Sequence, residues 1–186
     1  MKNKLCCLSI VLLMFLLFSA CTPVSPAPIE SAEQILPEWF YMPLIDAKNG
    51  ETFTINDFKG KVILVETMAI WCPNCLVQAN EVRKLHTLLD DDDLISVTLD
   101  VDINEKTEDL KSYVEEFGFD WYFAVAYLDV ARALGNLYGA NYLNPPLSPM
   151  LLIDRTGEGH KLEFGHKKAE ELLSFVQPFL DANIPD

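Results

Sequence analysis

The 186-residue sequence predicts an α/β domain, a central mixed sheet with helices on both faces and a β-hairpin extension at its N-terminal end. Three observations carry that expectation. Val62-Ile-Leu-Val65 is a continuous apolar run of the kind a strand buried on both faces requires. Apolar and β-branched runs then alternate with stretches whose apolar residues recur at helical spacing, as in strands linked by helices. Two short strand-like runs also flank the turn-rich Asp46-Ala47-Lys48-Asn49-Gly50.

Before the domain, Lys2 and Lys4 precede an apolar stretch from Leu5 to Phe18 and the small residues Ser19 and Ala20. That order is a secretory signal peptide over 1–20, and the apolar run is short for a membrane span. Ser19-Ala20-Cys21 resembles a bacterial lipobox, with Phe18 where that pattern usually has Leu. The resemblance implies that Cys21 becomes the lipid-bearing first residue of the mature chain. An ordinary secreted protein cut nearby, or an uncleaved anchor, are the alternatives. Residues 21–37, with Pro23, Pro26, Pro28 and Pro37, read as a semi-stiff tether. Some fifteen extended residues reach roughly 50 Å. Residues 38–186 form the domain, of a size that buries a core.

Within the domain, Phe40–Ile45 and Glu51–Ile55 are expected as the hairpin strands. After the run at Val62, a helix is predicted to about Leu89 on the apolar positions Leu76, Ala79, Val82, Leu85 and Leu89. Asp90 to Asp93 reads as a solvated turn, since no glycine turn or liganding pattern surrounds it. Leu94–Val101 is a β-branched strand, Glu105–Phe117 a helix closed by Gly118, Trp121–Ala126 a strand and Val130–Tyr138 a helix closed by Gly139. A proline loop, Asn144 to Pro149, leads into the strand Met150–Ile153. His160–Gly165 is expected as an edge strand and Lys167–Asn183 as a closing helix, with Pro178 placed to bend it.

The chemistry concentrates in Trp71-Cys72-Pro73-Asn74-Cys75. Pro73 suits the first position of a helix. Cys72 is then the N-cap, its sulfur at the positive end of the helix dipole, where a thiolate is favoured. Cys75 lies one turn further in, within reach of a disulfide. A structural zinc needs four ligands, and beyond the first 21 residues only His86, His160 and His166 could join these two cysteines. All three histidines read as surface residues. A purely structural disulfide closing so short a loop would constrain little chain entropy. The pair therefore reads as redox-active, with no metal and no organic cofactor. Once Cys6 and Cys7 leave with the signal and Cys21 carries lipid, no other thiol competes with it, and an exported compartment permits the disulfide. Loss of Lys2 and Lys4 takes the formal charge from −14 to −16. Such acidity argues against nucleic acid and against an electrostatic hold on anionic lipid. Glu66 interrupts the buried strand six residues before Cys72. A carboxyl there has a raised pKa unless it reaches water or pairs with a lysine.

Asp57-Phe58-Lys59-Gly60-Lys61-Val62 followed by Trp71-Cys72-Pro73-Asn74-Cys75 resembles the TlpA/ResA-type branch of the thioredoxin family, membrane-tethered or periplasmic thiol–disulfide oxidoreductases. The resemblance covers most of residues 38–183 and implies a thioredoxin-like fold. It implies that Glu66 matches the family's buried acid and relays the proton of Cys75. It also implies that Pro149 is the cis-proline that lies against the cysteine pair, and that the backbone of Ser148 pairs with an incoming peptide. Met150 stands where the family usually has Thr. Trp71, Pro73, Asn74, Ser148 and Pro149 would form the docking surface. The implied activity is reduction of disulfides in exported proteins such as apocytochrome c, by a monomer recharged through a membrane thiol-electron carrier and held in the bacterial cell envelope by the lipid on Cys21. The same residues could run backwards as a disulfide-forming oxidase. A Sco-like copper-delivery protein is a further alternative, although that family spaces its cysteines by three residues.

Overall fold

The computed structural model describes residues 35–89 and 94–182. The expected signal peptide, Cys21, most of the tether and the acidic run Asp90–Asp93 lie outside the described residues. Within them, no helix is long and apolar enough to cross a membrane.

The hairpin is smaller than its sequence suggests. Glu38–Tyr41 is a 3₁₀ turn that buries Trp39 and Phe40, and only β1 (Leu44–Ile45) and β2 (Thr52–Phe53) pair, antiparallel. Their neighbours serve as core plugs instead of ladder residues. The main sheet has five strands: β3 (Val62–Met68), β4 (Leu94–Asp100), β5 (Tyr122–Val125), β6 (Met150–Ile153) and β7 (Gly159–Lys161). Their spatial order is β5-β4-β3-β6-β7. β3, β4 and β5 run parallel, and β6 and β7 are antiparallel to their neighbours. The expected edge strand is thus cut to three residues, leaving Leu162 to turn inward and donate its N–H to Met150 O.

β3 is the central strand, and all seven of its residues are buried, as the apolar run required. Side chains alternate across it. Val62, Leu64 and Met68 join one core, with residues from α1 (Pro73–Leu88), α2 (Thr107–Phe117) and α4 (Ala169–Asp181). Ile63 and Val65 join the other, under the hairpin and α3 (Leu128–Tyr138). The long parallel strands and their helix crossovers thus set the layers predicted. Gly118 closes α2 at φ 65°, a left-handed cap that costs glycine nothing. α4 runs through Pro178, two turns after its start, without ending there. Leu36, at the far end of the expected tether, already packs against the second core.

Candidate active site

β3 emerges from the sheet at Met68, and four residues later the chain enters α1. Cys72 is the N-cap in extended conformation and Pro73 occupies the first turn. The Cys75 N–H donates to Cys72 Sγ at 3.2 Å. The helix start therefore places its positive end and a backbone donor on the first sulfur, which favours the thiolate over the thiol. Cys72 and Cys75 are joined as a disulfide with Cα atoms 5.3 Å apart. Both residues are buried in this oxidised state. Trp71, by contrast, is 57% exposed.

Two carboxylates fix the approach to Cys72. Trp71 Nε1 donates to Asp102 Oδ2 at 2.7 Å, and Ile70 N–H donates to Glu105 Oε2 at 2.9 Å. Amide bonds from Asn104, then that from Trp71, hold Asp102 below the usual carboxylate range. On the other side, Asn74 Nδ2 reaches Pro146 O at 3.2 Å, and Cys75 Sγ lies 3.4 Å from Pro145 O. Gln78, wholly buried one turn further along α1, exchanges two hydrogen bonds with the backbone of Lys167.

The proline loop departs from expectation. Among the described residues no peptide bond is cis, so Pro149 is trans. The turn is made by the 3₁₀ segment Pro145–Leu147 and by Ser148, which closes it at φ 47° in the left-handed region. The prolines against the cysteine pair are consequently Pro145 and Pro146. The Ser148 backbone is engaged within the protein: its N–H donates to Pro145 O at 2.8 Å, and its carbonyl accepts from Lys167 Nζ at 3.0 Å. Both Ser148 and Pro149 are buried, and Pro149 O accepts the Thr67 N–H. Of the five residues expected to dock substrate, Trp71, Pro73 and Asn74 face solvent and these two do not.

Glu66 sits where expected, on the α1 side of β3 between Leu64 and Met68, beneath the core that contains both cysteines. It is 2% exposed and neither carboxyl oxygen meets a hydrogen-bond donor. Burial pushes its pKa up to about 8, against the opposing pull of the Lys167 ammonium. Lys167 is itself pushed down by burial. A carboxyl in this setting is largely protonated at neutral pH and close to its titration point.

A second acid was not foreseen. Asp100 ends β4 on the same face as Glu66, on the adjacent strand, wholly buried. Its Oδ1 accepts the Asp102 N–H at 2.9 Å, while Oδ2 meets no donor. The Glu105 carboxyl faces it. Two ionised carboxylates can only accept, so this contact becomes a hydrogen bond when one proton is shared. Burial first, then Glu105, raise the Asp100 pKa to about 8. Tyr113, from α2, stands within the field of Glu66, Asp100 and Glu105 with its hydroxyl buried and unpartnered. The sequence did hold a signal for Asp100: Ser96, Thr98 and Asp100 recur at period two along a buried strand, a polar stripe on one face.

The histidines lie in other company. His86, expected at the surface, is half-buried: its Nε2 bonds Ser96 Oγ at 2.8 Å and its ring packs on Trp121, because the last turn of α1 lies over the polar stripe of β4. His160 bonds Asp154 at 2.8 Å near the β6–β7 turn. Asp154, Glu158 and His160 are close enough together to hold a cation, but Asp154 Oδ1 is already taken by Thr156 and the Glu158 N–H.

Comparison with known proteins agrees with this geometry. The family model described as Redoxin matches residues 25–171. No curated protein matches the chain. Among solved structures, a thiol:disulfide interchange protein of the thioredoxin family from Chlorobium tepidum is similar at a TM-score of 0.59 and 18% identity, over 75% of this chain and 92% of that one. A thiol-disulfide isomerase from Corynebacterium glutamicum is similar at 0.59 and 21%, over 82% and 99%. A SCO1/SenC family lipoprotein from Bacillus anthracis is similar at 0.59 and 19%, over 75% and 93%. At such identities the likeness is one of fold, and the fold is thioredoxin-like.

Proposed function

The chain belongs to the Redoxin family and is a thioredoxin-like thiol–disulfide oxidoreductase, and from that premise we propose that it works outside the cytoplasm as a lipid-anchored reductant of disulfides in exported proteins, apocytochrome c among them. The observation that carries the reading is the placement of Cys72 at the N-cap of α1, joined to Cys75 one turn on, over the sheet face that buries Glu66.

In the dithiol form, the Cys72 thiolate attacks one sulfur of the client disulfide. A Cys72–client bond forms, the client disulfide breaks, and the client's other sulfur leaves as a thiolate that takes a proton. Glu66, near its titration point and ionised in a fraction of molecules, takes the Cys75 proton in that ionised form, and the Cys75 thiolate attacks Cys72 Sγ. The client's second thiol departs reduced, and the Cys72–Cys75 disulfide holds the two oxidising equivalents. A thiol carrier in the membrane must return two electrons for the next turn. Anchoring through Cys21 would keep the domain beside that carrier.

The direction is tested by the reduction potential of the Cys72–Cys75 pair, measured by equilibrating the chain with glutathione or dithiothreitol. A value near about −270 mV is expected of a reductant, and one near about −120 mV would make the protein a disulfide-forming oxidase instead. Copper delivery is the second reading, favoured by the fold shared with the SCO1/SenC family lipoprotein. Against it, His86 and His160 are engaged with Ser96 and Asp154. Titration with cuprous ion and a Cys72→Ser control separates the two readings.

A further inference from the structure

We infer that the groove beside Cys72, between the start of α1 and α2, is where the client's disulfide-bearing segment docks, and that it selects segments carrying lysine or arginine next to a bulky apolar residue. The inference rests on the reductase reading and names the substrate class of that same site.

The groove encloses about 730 Å³, and Cys72, not Cys75, is in its wall. A peptide lying in it would therefore meet the attacking sulfur first. Its apolar part is supplied by the exposed face of Trp71 and by Leu76 and Phe117, each still partly open to solvent. These are the surfaces a bulky apolar side chain would cover. Its polar part is of one sign. Glu105, Asp109 and Glu116 line it, and among the described residues no lysine or arginine does. Glu116 makes no ion pair among the described residues, so its charge is free to meet an incoming cation. Tyr113 also lines the groove, with its hydroxyl buried.

On the opposite side of the cysteine pair lies the proline loop. Ser148 and Pro149 are buried, and the Ser148 N–H and carbonyl are both bonded within the protein. A client strand cannot take up the Ser148 N–H without breaking its bond to Pro145 O, whereas the α2 side is already open. Like charges in such a groove attract a cationic segment and repel an anionic one, and the preference weakens as salt screens it.

The test uses the full chain in its dithiol form and three synthetic peptides, each with one intramolecular disulfide and a leucine beside it, flanked by arginines, by glutamates or by uncharged glutamines. At an ionic strength of about 0.02 M the arginine peptide should be reduced with about tenfold higher kcat/KM than the glutamate peptide, mostly through KM, and the ratio should shrink several-fold by about 0.5 M. The double variant Asp109→Lys, Glu116→Lys should reverse the order, which would itself show that the variant is folded. Should that variant not fold, the salt dependence of the wild-type ratio decides. Equal rates for all three peptides at low salt, or an unchanged order in the folded variant, would overturn the docking inference and leave the reductase reading intact. Reduction of none of the three would remove the reductase reading and the inference with it.

Discussion

The two faces of the central sheet are built from the same strands by alternate residues, and they are unlike. Toward the hairpin and α3, β3 presents Ile63 and Val65, and β4 presents Val97 and Leu99, all apolar. Of the polar groups there, Thr67 Oγ1 donates to Tyr142 O at 2.7 Å and the Tyr142 hydroxyl donates to Met150 O at 3.0 Å, while the Trp39 indole N–H meets no acceptor. Toward α1 and α2 the same two strands present Glu66, Thr98 and Asp100. Both of the buried carboxyl groups with unpartnered oxygens among the described residues lie on this face. Burying an unpaired acid costs several kcal/mol relative to an apolar residue. One face therefore provides stability, and the other gives some of it up beneath the cysteine pair.

If that division holds, exchanging residues between the faces should produce the largest effects. Val65→Glu would bury a carboxyl where every neighbour is apolar, and should cost more than about 4 kcal/mol or prevent folding. Glu66→Leu, its neighbour on the other face, should stabilise the oxidised protein at pH 8 while slowing thiol–disulfide exchange. Urea unfolding midpoints of the two variants decide the matter. Should both variants be equally destabilised, Glu66 is bound by something stronger than its surroundings show, and the relay role weakens.

The faces were not equally legible from the sequence. The apolar runs and helical periods fix the order of elements, and the boundaries of β6 and α1 fall within a residue or two of those expected. The Cys72–Pro73 helix start was equally plain, because proline and an N-cap sulfur are local signals. Glu66 could be seen because an acid in a continuous apolar run is conspicuous. Asp100 was not, because it ends its strand where acids are ordinary, and only its contact with Glu105 after a turn gives it a proton to share. The state of Pro149 was illegible for a similar reason. Isomer and accessibility are set by the surrounding loop, here the 3₁₀ turn at Pro145 and the Lys167 ammonium that binds the Ser148 carbonyl. Local signals specify elements, whereas pairings between distant segments specify the finish of the site.

The acid face should also show itself in pH dependence. Glu66 has its pKa raised to about 8, so between about pH 5 and pH 8 the unfolded chain has released this proton and the folded protein has not. The folded state then binds more protons, and stability falls as pH rises through that window. The loss should be on the order of 2–4 kcal/mol, and Glu66→Gln should remove most of it. The same variant should shift the pH profile of exchange, since Cys75 would lose its proton acceptor. A profile and a stability curve both unchanged in Glu66→Gln would end the relay proposal.

Asp100→Asn is the smaller and sharper test. The asparagine oxygen can keep the Asp102 N–H bond, so the turn that leads to Glu105 is retained. Its amide can also donate to Glu105, which an ionised Asp100 cannot. The variant should therefore be a little more stable than the wild type at pH 8 and nearly equal at pH 5, because Asp100, like Glu66, keeps its proton in the folded state through that range. Exchange with a small disulfide should change less than in Glu66→Gln, since Asp100 lies one strand further from β3 and faces Glu105 at the groove. Combining the two substitutions distinguishes two arrangements of the same face. Additive effects on the pH profile would mean that Glu66 and Asp100 titrate separately. A double variant no different from Glu66→Gln would mean that protons leave Glu66 by way of Asp100 and Glu105, toward the groove in which Cys72 meets its client.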